Sequence, residues 1–193
     1  MKIIFVRHGE TDTNLLEKQG KAILENDAPL NARGLEQAKK VAEKLKNEKI
    51  GMICCSPYKR ALMTCREINK FHQVAVDVLH DLRERDCGDL VGKGFHDLFD
   101  FDKNIKGKGI ESVYDFFDRV YRVIRHVELS GYDCVIVVSH GGVAHAFRAY
   151  FNNLEWKGNL RVDRLGNCDV RVYETSNEKK IRIRNYEKRE NRH

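Results

Sequence analysis

Two histidines hold the chemistry of this chain. Arg7-His8-Gly9-Glu10-Thr11 follows the apolar run Lys2 to Val6, and Ser139-His140-Gly141-Gly142 follows the apolar run Cys134 to Val138. Each histidine precedes a glycine, which lets another group come close to the backbone. Arginine lies near both in sequence, Arg7 before the first and Arg148 after the second. Neutral imidazole is a nucleophile, and guanidinium offers anions a planar fork of N–H donors. The pattern predicts an anion site with an imidazole positioned for nucleophilic attack.

Strand-like and helix-like patterns alternate along the chain, which predicts an α/β architecture with a largely parallel sheet. After the first strand, a polar loop runs through Ala28-Pro29-Leu30. Asn31 then caps a helix in which Leu35, Ala38, Val41, Ala42 and Leu45 keep three-four spacing. Ile50 to Cys55 is a second strand, Ser56-Pro57 leads into a helix from Tyr58 to Phe71, and Val74 to Val76 is a short third strand. The stretch from Asp86 to Ile110 has little periodicity. Glu111-Ser112 opens a helix with Val113, Phe116, Phe117, Val120, Val123, Ile124 and Val127 on one face. Gly142 to Tyr150 is the helix after the last parallel strand. Asn167 to Glu174 and Lys180 to Tyr186 make two further strands around a turn at Ser176-Asn177. Three polar clusters, Arg7-His8, Ser56 to Arg60 and Ser139-His140, fall at strand ends. Ligands of open α/β sheets bind beyond the carboxyl ends of strands, so the topology predicts one shared pocket.

A length of 193 residues suits one domain with a substantial core. No apolar run is long enough to span a bilayer, and the first residues lack the length and cleavage site of a signal peptide. The expectation is a cytoplasmic protein without a membrane partner. Net charge is +6, which favours anionic partners. Much of the excess lies in the tail, from Lys179 to Arg184 and from Lys188 to Arg192. Its alternation suits an edge strand, and without interleaved aromatics it predicts no nucleic-acid partner. The six cysteines (Cys54, Cys55, Cys65, Cys87, Cys134, Cys168) show no metal-ligand spacing and read as buried free thiols. His140 and His145 are five apart, which misses the spacing of helical zinc sites. No metal and no cofactor are expected.

Taken together, these motifs resemble the histidine phosphatase superfamily, the phosphoglycerate-mutase-like proteins. Arg7-His8-Gly9-Glu10-Thr11 with Asn14 is similar to the family's opening segment. The stretch from Leu30 to Ala38 is similar to the start of its first long helix. Ser56-Pro57 with Arg60-Ala61 and Thr64 is similar to its second-arginine motif, and Leu82-Arg83-Glu84-Arg85 with Gly88 to its acid motif. Ser139-His140-Gly141 supplies the second histidine, and Asn167-Cys168 is a weaker likeness. The resemblance implies a three-layer α/β/α sandwich with a mostly parallel central sheet. It also implies a single domain over 1–193 with a short cap segment at about 89–111.

It further implies that His8 attacks phosphorus to give a phosphohistidine. Arg7, Arg60 and His140 would lower the pKa of His8 and bind the equatorial oxygens of the transferring group. Glu84 would protonate the leaving oxygen and then activate water, a double role helped by a raised pKa; Glu10 and Asp86 are its rivals. Asn14, Thr11, Arg85, Gly141 and Gly142 join the substrate-binding set, Gly142 through its N–H at a helix start.

The family's cofactor-dependent mutases carry a long insertion with paired arginines. Here the stretch from Asp89 to Ile110 is short, contains no arginine, and offers Lys93, Lys103, Lys106 and Lys108 instead. The expected activity is therefore a metal-independent phosphomonoesterase acting on a small phosphorylated metabolite. A phosphoglycerate mutase and a non-catalytic phospho-ligand sensor are the alternatives. Phe95, Phe99 and Phe101 could line a leaving-group pocket or simply pack onto the core. The natural substrate stays open among sugar, nucleotide and cobamide-precursor phosphates, as does the choice between monomer and homodimer.

Overall fold

Apolar runs without alternation become strands covered on both faces. The computed structural model describes residues 1–18, 27–92, 98–158 and 164–175. Strands β1 (Lys2–Arg7), β2 (Met52–Cys55), β3 (Val76–Val78), β4 (Cys134–Ser139) and β5 (Val170–Glu174) form a five-stranded sheet in the order β3-β2-β4-β1-β5. The first four run parallel, and β5 pairs antiparallel with β1. Central strands β1 and β4 are buried along nearly their whole length, as parallel strands between two helical layers must be.

Successive side chains of β1 point to opposite faces, so they enter different cores. Ile3 and Phe5 pack with Phe116, Phe117, Val120 and Phe147 from helices α4 (Val113–Leu129) and α5 (Gly141–Phe151). Ile4 and Val6 pack with Val41, Leu45, Ala61 and Ile68 from α2 (Ala32–Leu45) and α3 (Lys59–His72). The three-layer sandwich with a mostly parallel sheet is thus the observed fold. Asn31 caps α2, its side chain accepting from Gly34 N at 2.8 Å, and Ser112 caps α4 by accepting from Asp115 N at 3.0 Å.

Two local expectations change, and for Phe101 one of two open readings holds. The segment after His8 contains a short helix, α1 (Asp12–Lys18), started by the Thr11 hydroxyl, which accepts from Asn14 N at 3.2 Å. The third strand begins at Val76 and not Val74, because Asn69 holds both N–H and C=O of Val74 with its carboxamide at 3.0 Å, just past the left-handed Gln73 that ends α3. Phe101 packs into the core, 2% exposed, stacked near Phe116 and His145 and edge-on to Phe117. Short 3-10 turns at Gly88–Leu90 and Phe101–Lys103 lie in the stretch without periodicity, and another at His80–Leu82 precedes it. Lys93, Phe95, the strand expected from Lys180 to Tyr186, its turn at Ser176-Asn177 and the basic tail lie outside the described residues. All six cysteines are free thiols, and burial pushes Cys54 and Cys87 up to about 12. Among the described residues no helix is long and apolar enough to cross a membrane.

Candidate active site

Sheet register brings the two histidines together. Arg7 pairs with Ser139 at the ends of neighbouring parallel strands β1 and β4, so His8 and His140 leave the sheet side by side. His8 N donates to Ser139 O at 2.9 Å, and the two imidazole centroids are 5.2 Å apart. On the other side of β4, Ser56 follows β2 and its N–H donates to Val138 O at 3.0 Å. Three adjacent strands thus present Ser56, His140 and His8 in a row, and the first turn of α3 adds Arg60 above them. Close packing permits this: a Cβ on Gly9 would sit 2.4 Å from Gly34 O, and one on Gly34 would sit 2.0 Å from Glu10 O. The loop after His8 lies directly on the first turn of α2 for that reason.

Donor and acceptor chemistry assigns every imidazole proton. His8 Nδ1 lies 2.7 Å from Gly9 O; a carbonyl only accepts, so Nδ1 carries the hydrogen and Nε2 the lone pair. Arg60 Nε donates to His8 Nε2 and to His140 Nδ1, each at 3.2 Å. Guanidinium only donates, so both nitrogens are lone pairs. His140 Nε2 then carries a hydrogen and donates to Ser56 Oγ at 2.7 Å. The two neutral rings hold opposite tautomers. Burial, then Arg60 and Arg7, keep His8 well below the ordinary histidine value of 6.5. His140 is lowered in the same way by burial, Arg60 and His8.

Further groups tie this centre to the scaffold. Arg7 Nη1 donates to Leu165 O at 2.7 Å, which joins the site to the loop before β5. In that loop Asn167 Nδ2 donates to His8 O at 3.2 Å and to Asn14 Oδ1 at 3.0 Å. With the oxygen of Asn14 accepting also from Thr11 N, its NH2 end is the one able to donate to a ligand. Thr64 Oγ1 accepts from Gly9 N and donates to Arg60 O. The Arg60 guanidinium lies over the Tyr58 ring at 4.8 Å, and that ring meets His140 edge-on at 5.3 Å.

Glu84 reaches the same place from a different layer. Its Oε2 accepts from Gly142 N at 2.9 Å, at the start of α5, the helix that follows His140. Its Oε1 accepts from Arg85 N at 3.1 Å. A Cβ on Gly142 would fall 2.4 Å from Glu84 Oε1, so a glycine is required where the carboxylate approaches the helix.

Several expected binding residues do other work. The Gly142 N–H is engaged by Glu84, so it is not open to a phosphate. Arg85 turns away from the site: it is 1% exposed, and its guanidinium donates to Glu111 O, Leu98 O and Ile105 O. Arg85 thereby fastens the stretch from Leu98 to Glu111 and is not a phosphate ligand. The Thr11 hydroxyl is taken up by the α1 cap and by Thr13 Oγ1 at 2.7 Å. Gly141 opens α5 directly after His140. Of the two rivals to Glu84, Glu10 accepts from Asn31 Nδ2 at 3.3 Å beside the cap of α2, and Asp86 accepts from Gly88 N at 2.9 Å within a turn. Sequence reasoning did not single out Tyr58 or the role of Ser56 on His140. Their only trace is their place between a strand end and Arg60. Among the described residues, no group of three or more histidine, cysteine, aspartate or glutamate side chains could hold a metal ion.

Comparison with known proteins agrees with this geometry. The model of the histidine phosphatase superfamily (branch 1) matches residues 3–187. The uncharacterized phosphatase PhoE of Bacillus subtilis (strain 168) is 33% identical over 187 residues, covering 95% of this chain and 93% of that protein. The adenosylcobalamin/alpha-ribazole phosphatase of Escherichia coli (strain K12) is 30% identical over 158 residues, covering 74% of this chain and 75% of that protein. A mycobacterial glucosyl-3-phosphoglycerate phosphatase shares the fold, with a TM-score of 0.75 at 24% identity, covering 89% of this chain and 88% of that one. With the imidazole pair, its arginines and the match to nearly the whole length in hand, the chain belongs to branch 1 of the histidine phosphatase superfamily and is an enzyme of that family.

Proposed function

We propose that this enzyme is a metal-independent phosphomonoesterase that passes a phosphoryl group through His8 to water. The observation that carries the reading is the locked tautomer of His8, with Nδ1–H on Gly9 O and the Nε2 lone pair beside Arg60 and His140. A small phosphate monoester enters with its oxygens among Arg7, Arg60, His140 and the Asn14 amide. Arg60 then turns its Nε–H from His8 Nε2 to a phosphoryl oxygen, which frees the lone pair for in-line attack. The incoming dianion raises the pKa of His140, which takes a proton from solvent, donates from Nδ1 and gives the proton up again when phosphate leaves. Negative charge spread over three equatorial oxygens is met by fixed cations, the role a metal ion fills elsewhere.

Glu84 donates its proton to the leaving oxygen as the P–O bond breaks and the N–P bond forms. The resulting phosphohistidine keeps its Nδ1–H on Gly9 O. Glu84, now a carboxylate, accepts a proton from water as that water attacks phosphorus. Phosphate leaves and His8 is restored. Transfer to water is favoured over return to a second substrate because the stretch from Asp89 to Ile110 contains no arginine, and its exposed Lys103, Lys106 and Lys108 are point charges without a bidentate fork. The alpha-ribazole and glucosyl-3-phosphoglycerate phosphatases act on different esters, so the substrate is proposed only as a small phosphorylated metabolite.

The test is phosphate release from p-nitrophenyl phosphate and a panel of metabolite phosphates, in the parent and in His8→Ala. Turnover lost in His8→Ala supports the reading, and unchanged turnover refutes it. Interconversion of phosphoglycerates without phosphate release would establish a mutase. Tight phosphate binding with no turnover of any ester would establish a sensor.

A further inference from the structure

Glu84 stands in an irregular stretch between the 3-10 turns at His80–Leu82 and Gly88–Leu90, where no ladder of backbone hydrogen bonds fixes its position. What fixes it comes from α4. Arg119 is 4% exposed, and its guanidinium spends all five N–H groups on the surroundings of the acid. Nη1 donates to Asp81 O at 2.6 Å and Arg83 O at 2.8 Å. Nη2 donates to Glu84 O at 3.1 Å and to Glu111 Oε2 at 2.7 Å, and Nε donates to Glu111 Oε1. The guanidinium also lies 4.9 Å from the Phe116 ring centroid.

Glu111 completes the frame. Its Oε2 accepts from Asp86 N at 3.2 Å, and its own N–H donates to Asp86 O at 3.2 Å. The backbone on either side of Glu84 is therefore held by one buried ion pair, whose side chains are 5% and 13% exposed. Buried pairs of this kind contribute little net stability against an apolar substitute, and their best-attested use is to specify one arrangement. Here the arrangement specified is that of residues 81–86.

We propose that Arg119, oriented by Glu111, is a positioning residue for the general acid. It fixes the backbone from Asp81 to Asp86 so that the Glu84 carboxyl meets Gly142 N and the leaving oxygen together. The proposal rests on the reading of Glu84 as the acid. The phosphate-binding groups are held by β1, β4 and α3, and β4 meets the clamped stretch where Ser139 Oγ donates to Leu82 O at 2.7 Å. Glu111 also offers its carbonyl to Arg85, so the stretch from Leu98 to Glu111 and the acid share one anchor.

Proton donation matters most for a poor leaving group, and this gives the test a readout that mere destabilisation would not move. Arg119→Lys, Glu111→Gln and Glu84→Gln are compared with the parent on p-nitrophenyl phosphate, phenyl phosphate and an alkyl phosphate, with inhibition by inorganic phosphate measured alongside. Loss of positioned acid catalysis is expected to lower kcat/KM, which reports the step in which the leaving group departs and not the later hydrolysis common to all esters, by about tenfold or more on the alkyl phosphate in Arg119→Lys. The loss on p-nitrophenyl phosphate should be much smaller, and phosphate inhibition should change by less than about twofold, since charged phosphate contacts are retained. Glu111→Gln, a milder change, should show the same order of effects and keeps the test valid if Arg119→Lys fails to fold. Equal losses on all three esters, or intact alkyl turnover, overturn the proposal when Glu84→Gln shows the selective loss. If Glu84→Gln itself shows no dependence on leaving group, the acid reading falls instead.

Discussion

Arg60 shares one N–H between two imidazoles, and neither ring can become charged without opposing that cation. The unfolded chain takes up protons on both histidines as pH falls below about 6.5, whereas the folded protein resists doing so. The unfolded state therefore binds more protons there, so this part of the stability is complete above 6.5 and is lost progressively below it. The melting temperature should fall on acidification, and His8→Asn and His140→Asn should flatten the fall; parallel profiles in parent and variants would contradict this. His8, the proposed nucleophile, is already neutral and should not itself impose an acidic limb near 6.5 on kcat/KM. Ser56→Ala leaves the His140 Nε2–H buried without its partner, which should cost about 1–3 kcal/mol in denaturant unfolding and lower kcat. At this scale the chain was readable where a residue type has few uses. His8, His140, Arg7 and Arg60 come together as expected, because strand ends converge. Arg85 was misread because an arginine beside a candidate acid looks like a ligand, and only the fold reveals the carbonyls of Leu98, Ile105 and Glu111 that claim it.

Helix and strand ends position the site, and they differ in how plainly the sequence marks them. β1 and β4 were legible as unbroken apolar runs, and their register follows from burial on both faces. α2 was legible from Asn31 and its three-four spacing; Asn31→Ala should cost about 1 kcal/mol through the lost cap, measured by urea unfolding. α1 is too short to show periodicity, and the start of β3 depends on a side-chain bridge from Asn69 that no local pattern reports. Arg119 lies on α4 beside its apolar face, where an arginine is usually a solvated residue, so its partners around Glu84 were invisible in sequence. The start of α5 is the tightest junction. Gly142→Ala would place a methyl group 2.4 Å from Glu84 Oε1. It should lower kcat on an alkyl phosphate by about tenfold or more while leaving inhibition by inorganic phosphate nearly unchanged. Equal loss of both would place the damage in the phosphate site and contradict the assignment of Gly142 to the acid.

For the whole molecule, the sheet supplies a rigid row of Ser56, His140 and His8, and the two helical layers add one partner each. The α2–α3 layer brings Arg60, while the α4–α5 layer holds the Glu84 carboxyl, the proposed acid, through Gly142 N. Arg60 and the proposed acid therefore come from opposite sides of the sheet, and the carboxyl ends of the central strands between them are where the proposed ester would lie. Alternation of strands and helices made this architecture legible, but the substrate depends on the stretch between Asp89 and Ile110, whose residues carry no periodic signal. The covalent step is the centre of the proposed mechanism. The most direct measurement is mass spectrometry of the protein quenched in alkali during turnover of p-nitrophenyl phosphate, conditions under which a phosphohistidine survives. One phosphoryl group is expected on the peptide containing His8, absent in His8→Ala and accumulating in Glu84→Gln on a substrate with a good leaving group. Turnover by the parent with no phosphoryl group on His8 at any time, or with one on another residue, would contradict it.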